Sequence, residues 1–582
     1  MSRVLTRAWP INLALLGMTV GITAGLSGLQ ARADDMPVVA AADIKLPLLE
    51  GVVNGLSKDL SAPATATEPT SIEAPKPTEP QQAETAAPVA PVFELAAEIS
   101  ERLGREKSGA AEREDRNAAT KFYEARAGAP VWLTEAGVTR AAQALTAEIG
   151  KAADYGLSAD AFKLPLPVAA GSSRADLADA EVSLTLAALK YARHARGGRM
   201  DPQALSSAID RKAQLLPPTK VLAELAQSDK PDAKLRGFHA QHPQFEKLRQ
   251  KYLALKAGQP VLDAPAPVPE TVKGKQKQAV AKVISSAALE RKLLVNMEMW
   301  RWMPAFGKYY IQANIPDFTV RVVKDGQVIH SERIVTGKAA TMTPQFSDEM
   351  RLIVFKPFWN VPDSIKFKEL QPQLVNSGAA LTRAGLRAEI NGRPVDPASV
   401  DWLDVDMRQV HIFQPPGEAN ALGRVKFLFP NKHDVYLHDT PSKSLFNATD
   451  RAFSHGCVRV RDPLKLAEII LGADKGMTRA QINQLAQSGP DNNEIKLSQP
   501  IPIHLTYFTA WVDDNGKLQT AADVYGHEPR VQLGIEGKAN LIAQPREERY
   551  APPTAEERRR FAQQRQPQST PVEKWFKDVF NF

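Results

Sequence analysis

Cysteine is almost absent from this sequence, since Cys457 is the only one in 582 residues. A lone cysteine has no partner within its own chain, which excludes a fold held together by internal disulfides. In an exported protein such a residue is an intermolecular bridge or a reactive centre, and in any protein it can be a small buried apolar residue. The surroundings of Cys457 therefore decide between an inert and a chemical role.

Nucleic-acid and zinc motifs are also missing. The formal net charge of +7 favours acidic partners, but the basic residues are scattered and match no helix-turn-helix, RNP or zinc-finger spacing. Nucleic acid is therefore not an expected partner. His433, His438, His455 and Cys457 lie near one another in the sequence, but their spacing fits no common zinc pattern. We expect no metal and no other cofactor.

Long apolar runs are confined to the N-terminus. Arg3 and Arg7 precede an apolar stretch from Ile11 to Leu29, and an A-x-A sequence follows at 31–33, which is the pattern of a signal peptide over 1–33. We therefore expect export. The apolar stretch is close to the length that spans a bilayer, so an uncleaved anchor is the alternative. Membrane contact is expected only through this segment.

The remaining sequence alternates between linkers and folded parts. The 44 prolines cluster, apolar residues recur every three or four positions before the second cluster, and they alternate with polar residues after Pro304. Asp325-Gly326 is a strong hairpin signal. The pattern predicts a multidomain α+β protein, a helical N-terminal scaffold followed by a mostly-β domain. The predicted segments are a disordered linker (34–92), the scaffold (93–256), a second linker (257–285), the mostly-β domain (286–510) and a largely disordered extension (511–582).

The stretch "SHGCVRV" places groups around the cysteine that suit thiol catalysis. A free thiol is only slightly ionised at neutral pH, and a nearby histidine can take its proton. His455 lies two residues before Cys457, and His438 ends an earlier strand-like run that could lie beside the strand after Cys457. Gly456 permits the tight turn that an oxyanion hole needs. The spacing alone also allows each residue an ordinary structural role.

At these residues the chain resembles the L,D-transpeptidase catalytic domain, the YkuD fold. The signature is His438 followed by Ser-His-Gly-Cys at 454–457, and "FKPFWNVPDSI", "VYLHDTP" and "LFNATDRAFSHGCVRV" resemble the YcbB-like subgroup in particular. The likeness covers roughly residues 95 to 510, and it makes 286–510 the catalytic domain. The small peptidoglycan-binding module that this subgroup often inserts between the two domains is apparently missing.

The resemblance implies an enzyme of cell-wall biogenesis in a periplasm. Cys457 would attack the bond between the third and fourth residues of a tetrapeptide stem, release D-Ala, and pass the acyl group from its thioester to a second stem as a 3→3 link. His438 would be the base, oriented by the backbone carbonyl of Asp439. The N–H groups of Gly456 and Cys457, with His455 nearby, would form the oxyanion hole.

Further residues are implied as substrate-binding. Arg459 stands where many family members have Asn, and it would either pair with a stem carboxylate or face solvent. Ser454 belongs to the signature, and Trp359 and Tyr436 would either line the cleft or belong to the core. Residues 363–424 resemble the family's capping insert, which would act as a lid over the cleft.

Other functions stay open at this level. The same chemistry could attach an outer-membrane protein to a stem, because the motif does not specify the acceptor. A cysteine carboxypeptidase or endopeptidase of the wall, and a non-catalytic wall scaffold, are the other classes. The expected partners are peptidoglycan stems as donor and acceptor, and carbapenems are expected to acylate the cysteine.

Overall fold

The computed structural model describes residues 95–105, 109–169, 171–262, 284–374 and 378–543, together with residues 554, 556, 559, 560 and 563. All of these belong to one compact unit, Ala86–Phe582. Several predicted segments lie outside the described residues. They are the signal peptide, the first linker, most of the second linker and most residues after 543. No helix in the described part is both long and apolar enough to cross a membrane.

The N-terminal part is helical. Its helices are α1 (Ala96–Gly104), α2 (Ala110–Glu124), α3 (Arg140–Gly150), α4 (Arg174–Gly197), α5 (Pro218–Ala226), α6 (Pro231–Arg236) and α7 (Pro243–Lys256), with a short hairpin of β1 (Leu133–Thr134) and β2 (Gly137–Val138). Thr139 and Ser173 cap α3 and α4 by accepting the N–H of Ala142 and Asp176. Apolar side chains, with Trp132 and Tyr191 among the largest, form one core between α1 to α6, while α7 packs against the next helix.

Helix α8 (Ser286–Trp300) joins the helical part to the β-rich part. Its Glu298 is fully buried and accepts hydrogen bonds from Arg199 at 3.0 Å and from Arg301 at 3.1 Å. Trp300 and Trp302 are buried in a core that also contains strand residues from later in the chain. The helix is therefore held on one side by paired charges and on the other by aromatic packing.

The strands after α8 form three sheets. They are β3 (Tyr309–Asn314), β4 (Thr319–Lys324), β5 (Gln327–Gly337), β6 (Phe346–Phe355), β7 (Trp359–Asn360), β8 (Arg387–Ile390), β9 (Arg393–Val395), β10 (Val410–Gln414), β11 (Val425–Leu428), β12 (Leu437–His438), β13 (Ala452–Ser454), β14 (Val458–Val460), β15 (Asn493–Thr506), β16 (Ala510–Val512) and β17 (Leu518–Thr520). A helical scaffold followed by a mostly-β domain confirms the predicted fold class.

The largest sheet carries the site. Among the described residues it has nine strands in the order β13-β5-β14-β12-β11-β6-β15-β3-β4, and β4 also pairs with β5. The turn between β4 and β5 is Asp325-Gly326, both with positive φ (50° and 80°), as the hairpin signal predicted. Three neighbouring strands of this sheet, β14, β12 and β11, determine which side chains meet.

Residues between β6 and β11 form a separate layer that we call the cap. It consists of the sheet β7-β10-β8-β9 and the short helices α9 (Asp363–Ile365), α10 (Gln371–Leu374) and α11 (Ala379–Arg383), with a π-helical turn at Lys366–Leu370. Trp359, Trp402 and neighbouring apolar residues give it a core of its own. The cap therefore packs as a small unit within the β-rich part.

Helices α12 (Pro463–Lys475) and α13 (Arg479–Ser488) cover the apolar face of the large sheet. Leu437, Val458 and Val460 point into this core together with Leu466 and Ile470 of α12. Because side chains alternate along a strand, the residues next to them must face the opposite side.

The scaffold contacts the large sheet beside the loop that leads into β12. The Asp210 N–H donates to the carbonyl of Gln345, and the Asp210 carboxylate accepts from Lys432 at 2.9 Å and from His433 at 3.0 Å. The loop 430–434 is thus fixed from the scaffold side. The scaffold contributes to the geometry of the sheet as well as to its support.

The C-terminal extension, with its prediction of a largely disordered chain over 511–582, is folded over its first part. Residues 511–543 complete the hairpin of β16 and β17, form helix α14 (His527–Ile535), and bury Val512, Val531 and Ile542 against α8. The hairpin turn contains Asn515-Gly516, a turn signal between two apolar runs that the sequence analysis did not use. Burial against α8, which comes from distant sequence, accounts for the order.

Candidate active site

Strand pairing brings the predicted nucleophile and base to one face of the large sheet. Strands β12 and β14 are parallel, with Leu437 opposite Val458 and His438 opposite Arg459, and the Val458 N–H donates to the Tyr436 carbonyl at 3.1 Å. Leu437 and Val458 face the core. By alternation, His438 and the residue before Val458, Cys457, face the other side.

The His438 ring is buried and held by one backbone contact. Its Nδ1 lies 2.5 Å from the carbonyl oxygen of Asp439. A carbonyl oxygen can only accept, so Nδ1 carries the proton and Nε2 keeps a lone pair. Burial, reinforced by the Arg459 guanidinium, lowers the pKa of His438 to about 3. At neutral pH the ring is therefore a neutral base with its free nitrogen fixed in direction.

Asp439 itself is fixed by its carboxylate. The carboxylate accepts the N–H of Arg424 at 3.0 Å, the N–H of Thr440 at 2.7 Å and the ammonium of Lys443 at 2.6 Å. Gly423 packs so closely that an added Cβ would lie 2.4 Å from the Asp439 Cγ. The carbonyl that orients His438 thus sits on a segment with little freedom to move.

Cys457 is a partly buried neutral thiol. Its Sγ lies 3.7 Å from the carbonyl oxygen of Asp434. Burial raises the pKa of Cys457 to about 11, although hydrogen bonding to Tyr436 and the charge of Arg459 act in the opposite direction. Since the histidine is neutral too, the resting pair is thiol and imidazole. Proton transfer must then accompany nucleophilic attack rather than precede it.

The turn before Cys457 uses Ser454 and Gly456 differently from the prediction. The Ser454 Oγ donates to the Cys457 carbonyl at 2.6 Å and accepts the Gly456 N–H at 3.1 Å, while Thr343 Oγ1 donates to the Gly456 carbonyl at 2.7 Å. The Ser454 hydroxyl therefore holds the turn that carries Cys457. The Gly456 N–H is not available to an oxyanion in this arrangement, and the residue's requirement for glycine comes from its φ of 121°.

His455 points toward the cap. Its Nε2 lies 3.0 Å from the Glu369 carboxylate, which belongs to the π-helical turn of the cap. The catalytic motif and the cap are thus joined by a polar contact directly beside Cys457. Glu369 was not among the residues that the sequence analysis selected, because no local pattern connects it to His455.

The other predicted substrate residues separate into two groups. Trp359 is 3% exposed within the core of the cap, which favours the core alternative over the cleft. Tyr436 lies between that core and Cys457, and its ring centre is 5.7 Å from that of His438. Arg459 is also 3% exposed, which excludes the solvent-facing alternative and places its charge beside both catalytic groups.

Like Glu369, a second residue of the site was missed by the sequence analysis. Lys426 on β11 is directly opposite His438 on β12. The run "VKFLF" shows that Lys426 alternates with core residues, but only the pairing of β11 with β12 places it beside the catalytic histidine. Within the described residues, no group of three or more His, Cys, Asp or Glu side chains has the arrangement of a metal site.

The chain matches known proteins in two regions. Residues 117–251 match the scaffold domain model, and residues 308–482 match the model of the L,D-transpeptidase catalytic domain, YkuD. A curated protein of Haemophilus influenzae named "Putative L,D-transpeptidase" is 32% identical over 246 residues, which are 42% of this chain and 50% of that protein. The chain thus spans about half the length of this relative.

Two solved structures are also similar. An L,D-transpeptidase from Mycobacterium smegmatis is 12% identical, with a TM-score of 0.16 over 34% of this chain and 58% of the other. The Ldtfm-avibactam carbamoyl enzyme is 13% identical, with a TM-score of 0.14 over 44% of this chain and 80% of the other. The YcbB-like subgroup stays a prediction, while residues 308–482 match the L,D-transpeptidase catalytic domain model and follow a helical part that matches the scaffold domain model.

Proposed function

We propose that the protein is a cysteine acyltransferase that joins two peptidoglycan stems by a 3→3 link. The observation that carries the proposal is the placement of Cys457 and His438 on one face of adjacent parallel strands, with the His438 tautomer fixed by the Asp439 carbonyl. A nucleophile, a base and a group that orients the base are the minimum set for acyl transfer through a covalent intermediate.

The first half-reaction forms the thioester. The Cys457 sulfur attacks the carbonyl carbon of the bond between the third and fourth stem residues, while His438 Nε2 takes the thiol proton. The tetrahedral intermediate collapses as the imidazolium gives that proton to the nitrogen of the departing D-Ala. Because both groups start neutral, a charge pair exists only during reaction, where Arg459 and the polar surroundings act on it.

The second half-reaction transfers the acyl group. The side-chain amine of an acceptor stem attacks the thioester, His438 takes a proton from that amine, and the thiolate recovers a proton as it leaves. The product is an amide between two third residues, and the enzyme returns to its starting state. Metal and other cofactors have no part in this scheme.

The oxyanion of each tetrahedral intermediate needs donors. Among the described residues the Cys457 N–H has no hydrogen-bond acceptor, which supports it as one donor. His455, two residues before the nucleophile, is the other candidate, and its ring is held beside the motif by the contact of its Nε2 with the Glu369 carboxylate. This assignment replaces the Gly456 N–H of the original expectation.

The cap supports transfer to an amine rather than to water. It contacts the catalytic motif through Glu369 and the Cys457 surroundings through Tyr436. A layer that closes over the donor would exclude water from the thioester until an acceptor amine enters.

Location and partners follow from the same proposal. The N-terminal sequence supports export to a periplasm, with membrane contact only if the signal is retained. Peptidoglycan stems would be donor and acceptor, and carbapenems would acylate Cys457. An outer-membrane protein is the alternative acceptor, and the experiment below distinguishes it from a second stem.

The test is mass spectrometry of the purified protein after incubation with a disaccharide-tetrapeptide, beside Cys457→Ala. Because the chain has one cysteine, the variant removes its only thiol. We expect an acyl adduct that has lost D-Ala and a 3→3 dimer in the wild type, and neither in the variant. Tripeptide without dimer would overturn cross-linking in favour of a carboxypeptidase or a protein acceptor. A folded wild type without adduct would overturn the acyl-enzyme itself.

A further inference from the structure

Three basic side chains form a row across the face that carries Cys457. Lys426 on β11 is opposite His438 on β12, and His438 is opposite Arg459 on β14. Directly opposite residues in an antiparallel pair point to the same face with Cβ atoms about 4.5–5.5 Å apart. Lys426 therefore flanks the catalytic histidine on the side away from the strand of Cys457.

Lys426 is a partly buried cation without a close carboxylate. Burial lowers the pKa of Lys426, and Glu494 is the one charge that opposes this effect. Glu494 is exposed on β15, with β6 between it and β11, and no ion pair joins the two side chains within the described residues. A partly desolvated ammonium in this position is stabilised when an anion binds beside it.

The chemistry of the first half-reaction indicates which anion that is. His438 must reach the nitrogen of the departing residue to protonate it, while Cys457 reaches the carbonyl carbon on the other side of the same bond. The terminal carboxylate of the departing residue is one carbon away from that nitrogen. With Cys457 on one side of His438 and Lys426 on the other, the carboxylate falls on the Lys426 side.

We propose that Lys426 binds the terminal carboxylate of the residue that leaves, so that the enzyme selects donor stems whose scissile bond is the last one in the chain. This inference rests on the proposed function. A stem with one more residue would place an amide where the carboxylate belongs and would leave the ammonium without its anion. Lys426 thus acts as a specificity residue for stem length.

A donor stem has a second carboxylate, on the side chain of its third residue. That group branches from the acyl side of the scissile bond, which remains with Cys457, and Arg459 on the strand of the cysteine is the nearer cation. The experiment must therefore separate the two carboxylates.

The experiment compares Lys426→Met with wild type on three donors: the tetrapeptide acid, the tetrapeptide with its terminal carboxylate amidated, and the tetrapeptide with its side-chain carboxylate amidated. Lys426→Arg tests whether a cation suffices. Lys496→Met, which removes an exposed lysine of the same sheet, is the matched control. The readout is kcat/KM for release of the terminal residue or its amide, with a thermal melt for each variant.

We expect wild type to prefer the acid over the terminal amide by about 10- to 100-fold, the range of one charge-assisted hydrogen bond. Lys426→Met should lose the same factor on the acid only, so that its preference falls to near unity. Lys426→Arg should restore most of it, and Lys496→Met should behave as wild type. The ratio of kcat/KM for the side-chain amide to kcat/KM for the acid should be the same in wild type and in Lys426→Met.

Two results would overturn the inference. One is an unchanged preference for the acid in folded Lys426→Met. The other is a loss of discrimination against the side-chain amide, which would assign Lys426 to that carboxylate instead. Both differ from failure of the proposed function, in which wild type would release no terminal residue from any donor.

Discussion

Two buried polar clusters in this protein have opposite electrostatic designs. At the joint between the scaffold and α8, Glu298 is paired with Arg199 and Arg301. Burial acts to raise the pKa of Glu298, but the two guanidinium groups outweigh it and hold that pKa below its ordinary value. At the candidate active site, burial instead keeps Cys457 and His438 neutral, with cations beside them.

The difference separates a structural joint from a reactive site. Opposite charges that are paired with one another hold two parts of the chain together. Groups that burial holds far from their ordinary pKa values, with a charge beside them, are typical of functional sites. Loss of the first cluster should therefore affect stability, and loss of the second should affect rate.

The strongest way to break this comparison is His438→Gln. We expect kcat for thioester formation to fall by about 10²- to 10⁴-fold, because the base and the proton donor to the leaving nitrogen are one residue. The free energy of unfolding should change far less than the activation free energy for thioester formation. Rapid-quench measurement of acyl-enzyme formation, with denaturant unfolding on the same samples, checks both halves.

His504→Gln is the matched control for that variant. His504 is another buried histidine of the large sheet whose pKa is lowered to about 3 by burial, and it contacts Ser347 rather than the nucleophile. Its replacement should leave the acylation rate of folded protein nearly unchanged. Equal losses in the two variants would mean that burial of a histidine in this sheet, and not contact with Cys457, sets the rate.

The converse change is Glu298→Gln. Removing the carboxylate leaves two buried guanidinium groups without their charge partner, which we expect to cost roughly 3–5 kcal/mol of unfolding free energy. Acylation per folded molecule should be unchanged. Glu290→Gln on the same helix, where Glu290 pairs with Lys256 at 3.7 Å near the surface, should cost under about 1 kcal/mol. A fall in rate with intact folding would show that the joint also shapes the site.

The sequence predicted the parts of the site that depend on local pattern. "VYLH" and "CVRV" alternate as strands do, and each run has its functional residue at one end of the strand. The sequence was therefore enough to predict that His438 and Cys457 lie close together. The sequence could not decide whether Trp359 and Tyr436 belong to the core or to the cleft, because that depends on which layer each strand contacts. Trp359 begins a cap strand, whereas Tyr436 lies at the boundary of cap and sheet.

Other features needed tertiary information. Lys426 became a site residue through the register of β11 against β12, and Glu369 through the fold of the cap. The contact of the Gly456 N–H with Ser454, two residues earlier, depends on how the turn folds and could not be predicted from the sequence. Order in residues 511–543 depends on burial against α8, although Asn515-Gly516 was a local signal for the hairpin.

The central claim is that Cys457 rests as a neutral thiol beside a neutral imidazole, and the rate of alkylation by iodoacetamide against pH tests it most directly. The thiolate is the reactive form, so the rate reports ionisation of the only cysteine in the chain. The pKa of Cys457 is raised to about 11 and that of His438 is lowered to about 3. The plot of alkylation rate against pH should therefore show no step between these two pKa values.

The two pKa shifts also determine how the stability of the fold depends on pH. The raised pKa of Cys457 favours the folded state at low pH and loses that contribution as pH rises toward 11, while the lowered pKa of His438 favours folding above its unfolded pKa and loses it as pH falls toward 3. We therefore predict slow alkylation at neutral pH that keeps rising above pH 9, faster in denaturant than in the folded chain. A plateau of fast alkylation across neutral pH, abolished by His438→Gln, would reveal a thiolate–imidazolium pair and contradict the account.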